Sequence, residues 1–153
     1  MILAVRQKGD AVLRTVCGSV PLAGGCVPDD VVKIAEAMVA TMTAHSGIGL
    51  AANQVGFAIR VVVVANGGAP LVMVNPEIVR ADGEQESNEG CLSVAHGFTR
   101  GVVRRALRVR VAYTDILGAP RKIKLHGLWA AVAQHEIDHL NGILFTDHVK
   151  GKI

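Results

Sequence analysis

Apolar residues recur along the chain with two periods, and each period predicts its own kind of element. Val31, Ile34, Ala35, Met38, Val39 and Met42 follow one another at three- and four-residue intervals, the stripe of a helix with one buried face. Asp29 or Asp30 is placed to cap that helix, which is expected to run to about Ala44 and to close at the glycine-containing stretch Ser46 to Gly49. The preceding residues 20–28 (VPLAGGCVP) read as a loop from their Pro and Gly content. Strand signals follow at Ile59–Ala65, Leu71–Asn75 and Ile78–Arg80, with Asn66-Gly67-Gly68 as the turn between the first two. Further on, Leu107, Val109, Val111 and Tyr113 alternate with Arg108, Arg110 and Ala112, the period of a half-buried strand over about Leu107–Thr114. A turn at Leu117-Gly118-Ala119-Pro120 leads to Lys122–Leu125 as its expected partner. A second helix, from about Gly127 to Leu140, is apolar nearly all round and therefore expected to be buried; Asn141-Gly142 ends it. Helices are few and do not alternate regularly with strands, which predicts an α+β fold.

Composition narrows this picture. A chain of 153 residues suits a single domain over 1–153. Half the residues are hydrophobic, but only three Phe, one Trp and one Tyr are present, so the core is expected to be aliphatic. The net charge is +3, and much of the basic excess lies at Arg100, Arg104, Arg105, Arg108 and Arg110. A nucleic-acid surface would need these charges to form a stripe; the alternation favours the solvated face of a strand, and no specific nucleic-acid partner is expected. Arg6, Lys8, Asp10 and Arg14 interrupt any N-terminal export signal, and the apolar run Ile59–Ala65 is too short to span a bilayer. A soluble, cytoplasmic protein with no membrane partner is the expectation. The odd set Cys17, Cys26 and Cys91 argues for a reducing compartment.

The second helix carries Gln134-His135-Glu136-Ile137-Asp138-His139, a His-Glu-x-x-His pattern. Residues four apart share a helix face, so both imidazoles can reach one metal, with Glu136 beside them to handle a proton. Two histidines and two acids would otherwise be costly to bury in so apolar a helix. Asp138 reads as support for a ligand or as the partner of a cation. A third ligand is not offered downstream, since residues 141–145 (NGILF) hold none and His148 lies beyond the helix end. Upstream, Glu89-Gly90-Cys91-Leu92-Ser93 offers a thiol, which by itself reads more often as a small core residue than as a ligand.

Three segments in order carry a family resemblance. Gly47-Ile48-Gly49-Leu50-Ala51-Ala52-Asn53-Gln54, Glu89-Gly90-Cys91-Leu92-Ser93 and Gln134 to Gly142 (QHEIDHLNG) resemble the three motifs of the peptide deformylases, over about Gly9 to Asp147. The resemblance implies antiparallel or mixed β-sheets around a buried motif helix, and removal of the formyl group from N-terminal formyl-methionine. It implies Cys91, His135 and His139 as ligands of one divalent metal (Fe(II) natively, with Zn, Ni or Co able to replace it) and Glu136 as general acid/base. Gln54 and the backbone N–H of Leu92 would hold the oxyanion, and Ile48, Gly49, Gly90, Leu128, Ala131 and Val132 would line the substrate pocket. N-formyl-methionyl peptides and nascent chains are the implied partners, with transient ribosome contact open to it. Relatives with a proline two residues past the serine differ from Ala95 here, which leaves that loop less restrained and keeps open another N-acyl substrate; a non-catalytic homologue is a further alternative, against which the four metal-site residues and Gln54 weigh. The stop at Ile153, without the helical extension of many bacterial forms, argues against ribosome docking that uses one.

Overall fold

The computed structural model describes residues 1–149. The first long helix, α1 (Asp29–Ala44), turns Val31, Ala35, Met38 and Met42 inward, as the stripe predicts. Its start differs from expectation. Pro28 occupies the N-cap position without a side-chain acceptor, and Asp29 and Asp30 fall in the first turn, where negative charge suits the helix dipole. The strands follow as β1 (Gly49–Ala51), β2 (Val61–Val64), β3 (Leu71–Asp82), β4 (Gln85–Gly90), β5 (Arg100–Arg105), β6 (Arg108–Thr114) and β7 (Pro120–His126), before the second long helix, α2 (Leu128–Leu140).

The pairings between these strands are all antiparallel; an isolated parallel bridge joins Gly18 to Ile59. One sheet has the order β1-β2-β3-β6-β7, and β4 with β5 forms a separate two-stranded ribbon. In β2, Val61 and Val63 face the cluster built on α1, whereas Val62 joins α2 through Ala130, Ala133, Ile137 and Leu140. Both faces of β2 are therefore covered, which explains a strand of four buried valines. On β6 the alternation holds: Val109 and Val111 lie in the core and Arg108 is exposed.

Three departures from the hydrophobic pattern have local causes. Leu71–Asn75 and Ile78–Arg80, read as separate strands, form the single strand β3; a register shift between Val74 and Glu77 takes up Pro76 as a bulge. Asn75, in the left-handed region at φ 51°, accepts the Val20 N–H at 2.8 Å and donates to the Val20 carbonyl at 3.0 Å. Strands β4 and β5 were not foreseen. Gln85-Glu86-Ser87-Asn88-Glu89-Gly90 has no apolar alternation, and its pairing rests on the backbone ladder and on opposed charges such as Glu86 across from Arg104. β1, three residues long, is too short to show a period.

Gly127 is the N-cap of α2, at φ 62°. The helix ends where the sequence places its stop: Gly142 is left-handed at φ 74°, and a Cβ there would lie 2.7 Å from the Arg14 carbonyl. Cys17, Cys26 and Cys91 are all free thiols. Among the described residues, no helix is long and apolar enough to cross a membrane.

Met38 is fully buried at the centre of the α1 cluster. Met38→Ala is expected to lower unfolding free energy by about 2–5 kcal/mol in urea titrations; a loss below about 1 kcal/mol would mean that the core collapses around the gap.

Candidate active site

Helix α2 brings His135 and His139 to one buried face, with Glu136 between them in sequence and also buried. Cys91 follows directly on β4, so the ribbon delivers the thiol to the helix. The ligand atoms of Cys91, His135 and His139 all lie within 4.8 Å of one another. Cys91 Sγ and His139 Nε2 are 3.3 Å apart, close to the roughly 3.5 Å edge of a tetrahedron with metal–ligand bonds of about 2.0–2.3 Å. One thiol and two imidazoles form a donor set suited to a divalent transition metal.

The surroundings fit a cation. Burial opposes a charge on His135, yet Glu136, Cys91 and Glu89 around it raise its pKa to about 10. His139 goes the other way: burial and the neighbouring His135 hold it well below its ordinary value, so this ring stays neutral and available as a ligand. His139 Nδ1 and Glu136 Oε1 are buried without hydrogen-bond partners among the described residues. Burial pushes the Glu136 carboxyl up to about 7, where a group can both take and return a proton near neutral pH.

A network behind the ligands was only partly foreseen. His135 Nδ1 donates to Glu89 Oε1 at 2.8 Å, which turns Nε2 towards Cys91 and His139, where a metal would take the place of the second ring proton. Glu89 in turn accepts two bonds from Arg105, at 2.8 and 2.9 Å, and Arg105 reaches Asp138 Oδ2 at 2.6 Å. Asp138 therefore does partner a cation, and His148 approaches it from outside at 3.1 Å. The expectation that the arginine-rich stretch is solvated fails at Arg105, which is only 7% exposed. Adjacent residues of a strand point to opposite faces, so of Arg104 and Arg105 one had to turn inward; that was the available signal. Burial works against the Glu89 charge, but the hydrogen bonds from Arg105 and His135 hold its pKa down to about 2.

Gln54 is buried and serves two sides. Its Oε1 accepts the Ala51 N–H at 2.9 Å, the local bond of a turn amide. Its Nε2 donates to Ser93 Oγ at 3.1 Å and reaches Cys91 Sγ at 3.4 Å. Gly49 stands where a Cβ would lie 2.5 Å from Glu136 Oε2 and 2.9 Å from Val132, so only glycine lets β1 approach the helix this closely.

These groups open on a cavity of about 450 Å³. Every pocket residue expected from the resemblance lines it: Ile48, Gly49, Gly90, Leu128, Ala131 and Val132. Ala131 and Val132 are buried, while Ile48 and Leu128 are about half exposed at its mouth. Leu92 also lines the cavity, as does Phe98, which is 89% exposed and was not anticipated. Arg100, also in the wall, donates to the Asn88 carbonyl at 2.8 Å.

A buried His-Glu-x-x-His helix, a cysteine as third donor and a carboxyl raised to neutrality define the site of a metal-dependent hydrolase on an α+β scaffold. Comparison with known proteins narrows the class. A family model described as polypeptide deformylase matches residues 2–152. The chain is 40% identical over 150 residues to the peptide deformylase of Dictyoglomus thermophilum, covering 96% of this chain and 92% of that protein. The crystal structure of peptide deformylase from Thermotoga maritima matches with a TM-score of 0.91 at 35% identity, over 98% of this chain and 99% of that one. The Met-Ala-Ser-bound class I type b peptide deformylase from Acinetobacter baumannii matches with a TM-score of 0.89 at 36% identity, over 97% and 99%. The chain belongs to the polypeptide deformylase family.

Because the Glu89 carboxyl is held at about 2 against an ordinary value of 4.5, its ionised form contributes stability that is fully present above pH 4.5 and is lost as pH falls towards 2. The gap in thermal midpoint between the parent chain and Glu89→Gln should therefore shrink across that window. A gap that stays constant from pH 5 to pH 2 would show that Glu89 contributes through packing and not through its charge.

Proposed function

We propose that this chain, as one catalytic domain, hydrolyses the formyl amide of N-terminal formyl-methionine on nascent polypeptides and releases formate. The observation that carries the reading is the convergence of Cys91, His135 and His139 beside a carboxyl at neutral pKa, under an apolar-walled cavity. Cys91 Sγ and the two imidazoles would hold one divalent metal, Fe(II) by family resemblance, with Zn, Ni or Co able to use the same donors. When bound, such an ion supplies Lewis acidity, lowering the pKa of water and polarising a carbonyl oxygen.

The protein's own groups do the remaining work. Glu136 takes a proton from the attacking water as the new C–O bond forms, and returns it to the leaving amine as the C–N bond breaks. Negative charge grows on the formyl oxygen, where the Gln54 amide and the Leu92 N–H are the proposed donors. Donors fixed in advance matter most there, and the bonds that hold Gln54 between Ala51 and Ser93 leave it little freedom. Ile48, Leu128, Ala131 and Val132 would receive the methionine side chain, while Gly49 and Gly90 leave room for the peptide backbone. The substrate emerges from the ribosome, so cytoplasmic location and transient ribosome contact belong to the same reading, without a membrane partner or sequence-specific nucleic-acid binding.

A second reading, a different N-acyl substrate, draws on Ala95, which sits at φ 48°, a conformation closed to proline. Formate release from formyl-Met-Ala-Ser, measured without oxygen on metal-replete protein alongside acetyl and propionyl peptides, separates the two. Faster release of acetate than of formate would favour the second. Glu136→Ala is expected to keep stoichiometric metal and lose about 10²–10⁴ in turnover, whereas Cys91→Ala is expected to lose metal. Equal metal loss in both variants would make Glu136 a structural group.

A further inference from the structure

Between Cys91 and Arg100 the chain makes an unusual turn. Ala95 and His96 are both left-handed, at φ 48° and 54°, and Gly97 follows at φ 90°. Only the glycine adopts such a conformation without cost, so two strained residues in succession need support from outside. The loop's own bonds are few: Val94 N–H to the Cys91 carbonyl at 2.9 Å, and Gly97 N–H to Val94 and Phe98 N–H to Ala95 at 3.0 Å each.

The outside support comes from the N-terminal segment. Arg6 N–H donates to the Gln54 carbonyl at 2.7 Å and Lys8 N–H to the Ser93 carbonyl at 2.6 Å, so an extended strap ties together the two segments that supply the proposed oxyanion donors. Between them, the side chain of Gln7 grips the loop at both ends. Its Nε2 donates to the Leu92 carbonyl at 2.8 Å, and its Oε1 accepts the His96 N–H at 3.1 Å. One amide thus spans the strained turn, fixing the residue next to Cys91 and, through the His96 N–H, the second member of the left-handed pair.

We propose that Gln7 is a positioning residue for the reaction: it clamps the Leu92–Gly97 turn and so sets where the Leu92 N–H and the adjoining cavity wall stand. Gln7 touches neither the ligand atoms nor the substrate cavity, and its action runs through the Leu92 and His96 backbone. The catalytic part of this inference rests on the deformylase reading above. The clamp itself does not. An amide is suited to the task because it donates to a carbonyl with one atom and accepts from an N–H with the other; alanine can do neither, and glutamate can only accept.

The test compares parent, Gln7→Ala and Gln7→Glu in metal-replete form, by amide hydrogen exchange and by formate release from formyl-Met-Ala-Ser. Gln7→Ala is expected to speed exchange at His96, Val94 and Gly97 by at least about tenfold. It is also expected to lower kcat by roughly ten- to a hundredfold, with KM, metal content and thermal midpoint close to those of the parent. Gln7→Glu is expected to keep His96 protected yet lose much of kcat, because the bond to the Leu92 carbonyl is gone. Unchanged exchange in Gln7→Ala overturns the clamp. Faster exchange with unchanged kcat overturns the positioning role. A parent chain that releases no formate contradicts the deformylase reading instead, and the exchange comparison still decides the clamp.

Discussion

Two imidazoles and a carboxyl sit on a helix packed against an aliphatic core, and burying them uncompensated would oppose folding by several kcal/mol for each charge, on the order found for isolated ions. The bidentate pairing of Arg105 with Glu89 makes that burial tolerable. Arg105 supplies the positive charge that stabilises Glu89, Glu89 fixes the His135 ring through Nδ1, and Asp138 on the same helix takes the remaining guanidinium nitrogen. If Glu89 is removed, Arg105 keeps only Asp138, and if Arg105 is removed, Glu89 keeps only His135, so either change leaves a buried charge with part of its pairing lost. The pair is therefore worth more as a constraint on geometry than as a source of stability.

This pairing depends in turn on the register of the β4–β5 ribbon. Gln85 lies opposite Arg105 and Gly90 opposite Arg100. A slip of one residue would turn Arg105 to solvent and carry Glu89 away from His135, because side chains alternate between faces. It would also displace Cys91, the residue immediately after β4. The metal cradle is thus assembled from a helix and a ribbon that meet only in the folded chain, and the ion network is the joint between them. β1 completes the arrangement from the other side, where the missing side chain of Gly49 allows Glu136 to lie against its backbone.

Much of this was legible in the sequence where a single element carries the information. The stripe on α1, the alternation on β6 and the spacing of His135, Glu136 and His139 each follow from one local period, and the structure reproduces them. The polar ribbon was not legible, because its strands are stabilised largely by each other and by charge pairing, and Val103 alone, buried with Val94 and Phe145, is too little to show an apolar period. Arg105 was hidden for a related reason: its burial is decided by partners sixteen and thirty-three residues away. Cys91 stands between these cases. Its residue type allowed a ligand, but resemblance and the lack of a rival ligand downstream selected it before the fold brought its sulfur to 3.3 Å from His139. Gln7 gave no signal at all, since an extended strap has no helical period and its clamp contacts lie eighty-five and eighty-nine residues away.

The most direct measurement of the central relation, a metal shared by the ribbon and the helix, is X-ray absorption at the zinc edge of zinc-loaded protein. One sulfur scatterer at about 2.3 Å and two imidazole nitrogens at about 2.0–2.1 Å are expected, with the sulfur signal lost in Cys91→Ala. A first shell containing only nitrogen and oxygen would place Cys91 outside the coordination sphere and contradict that relation.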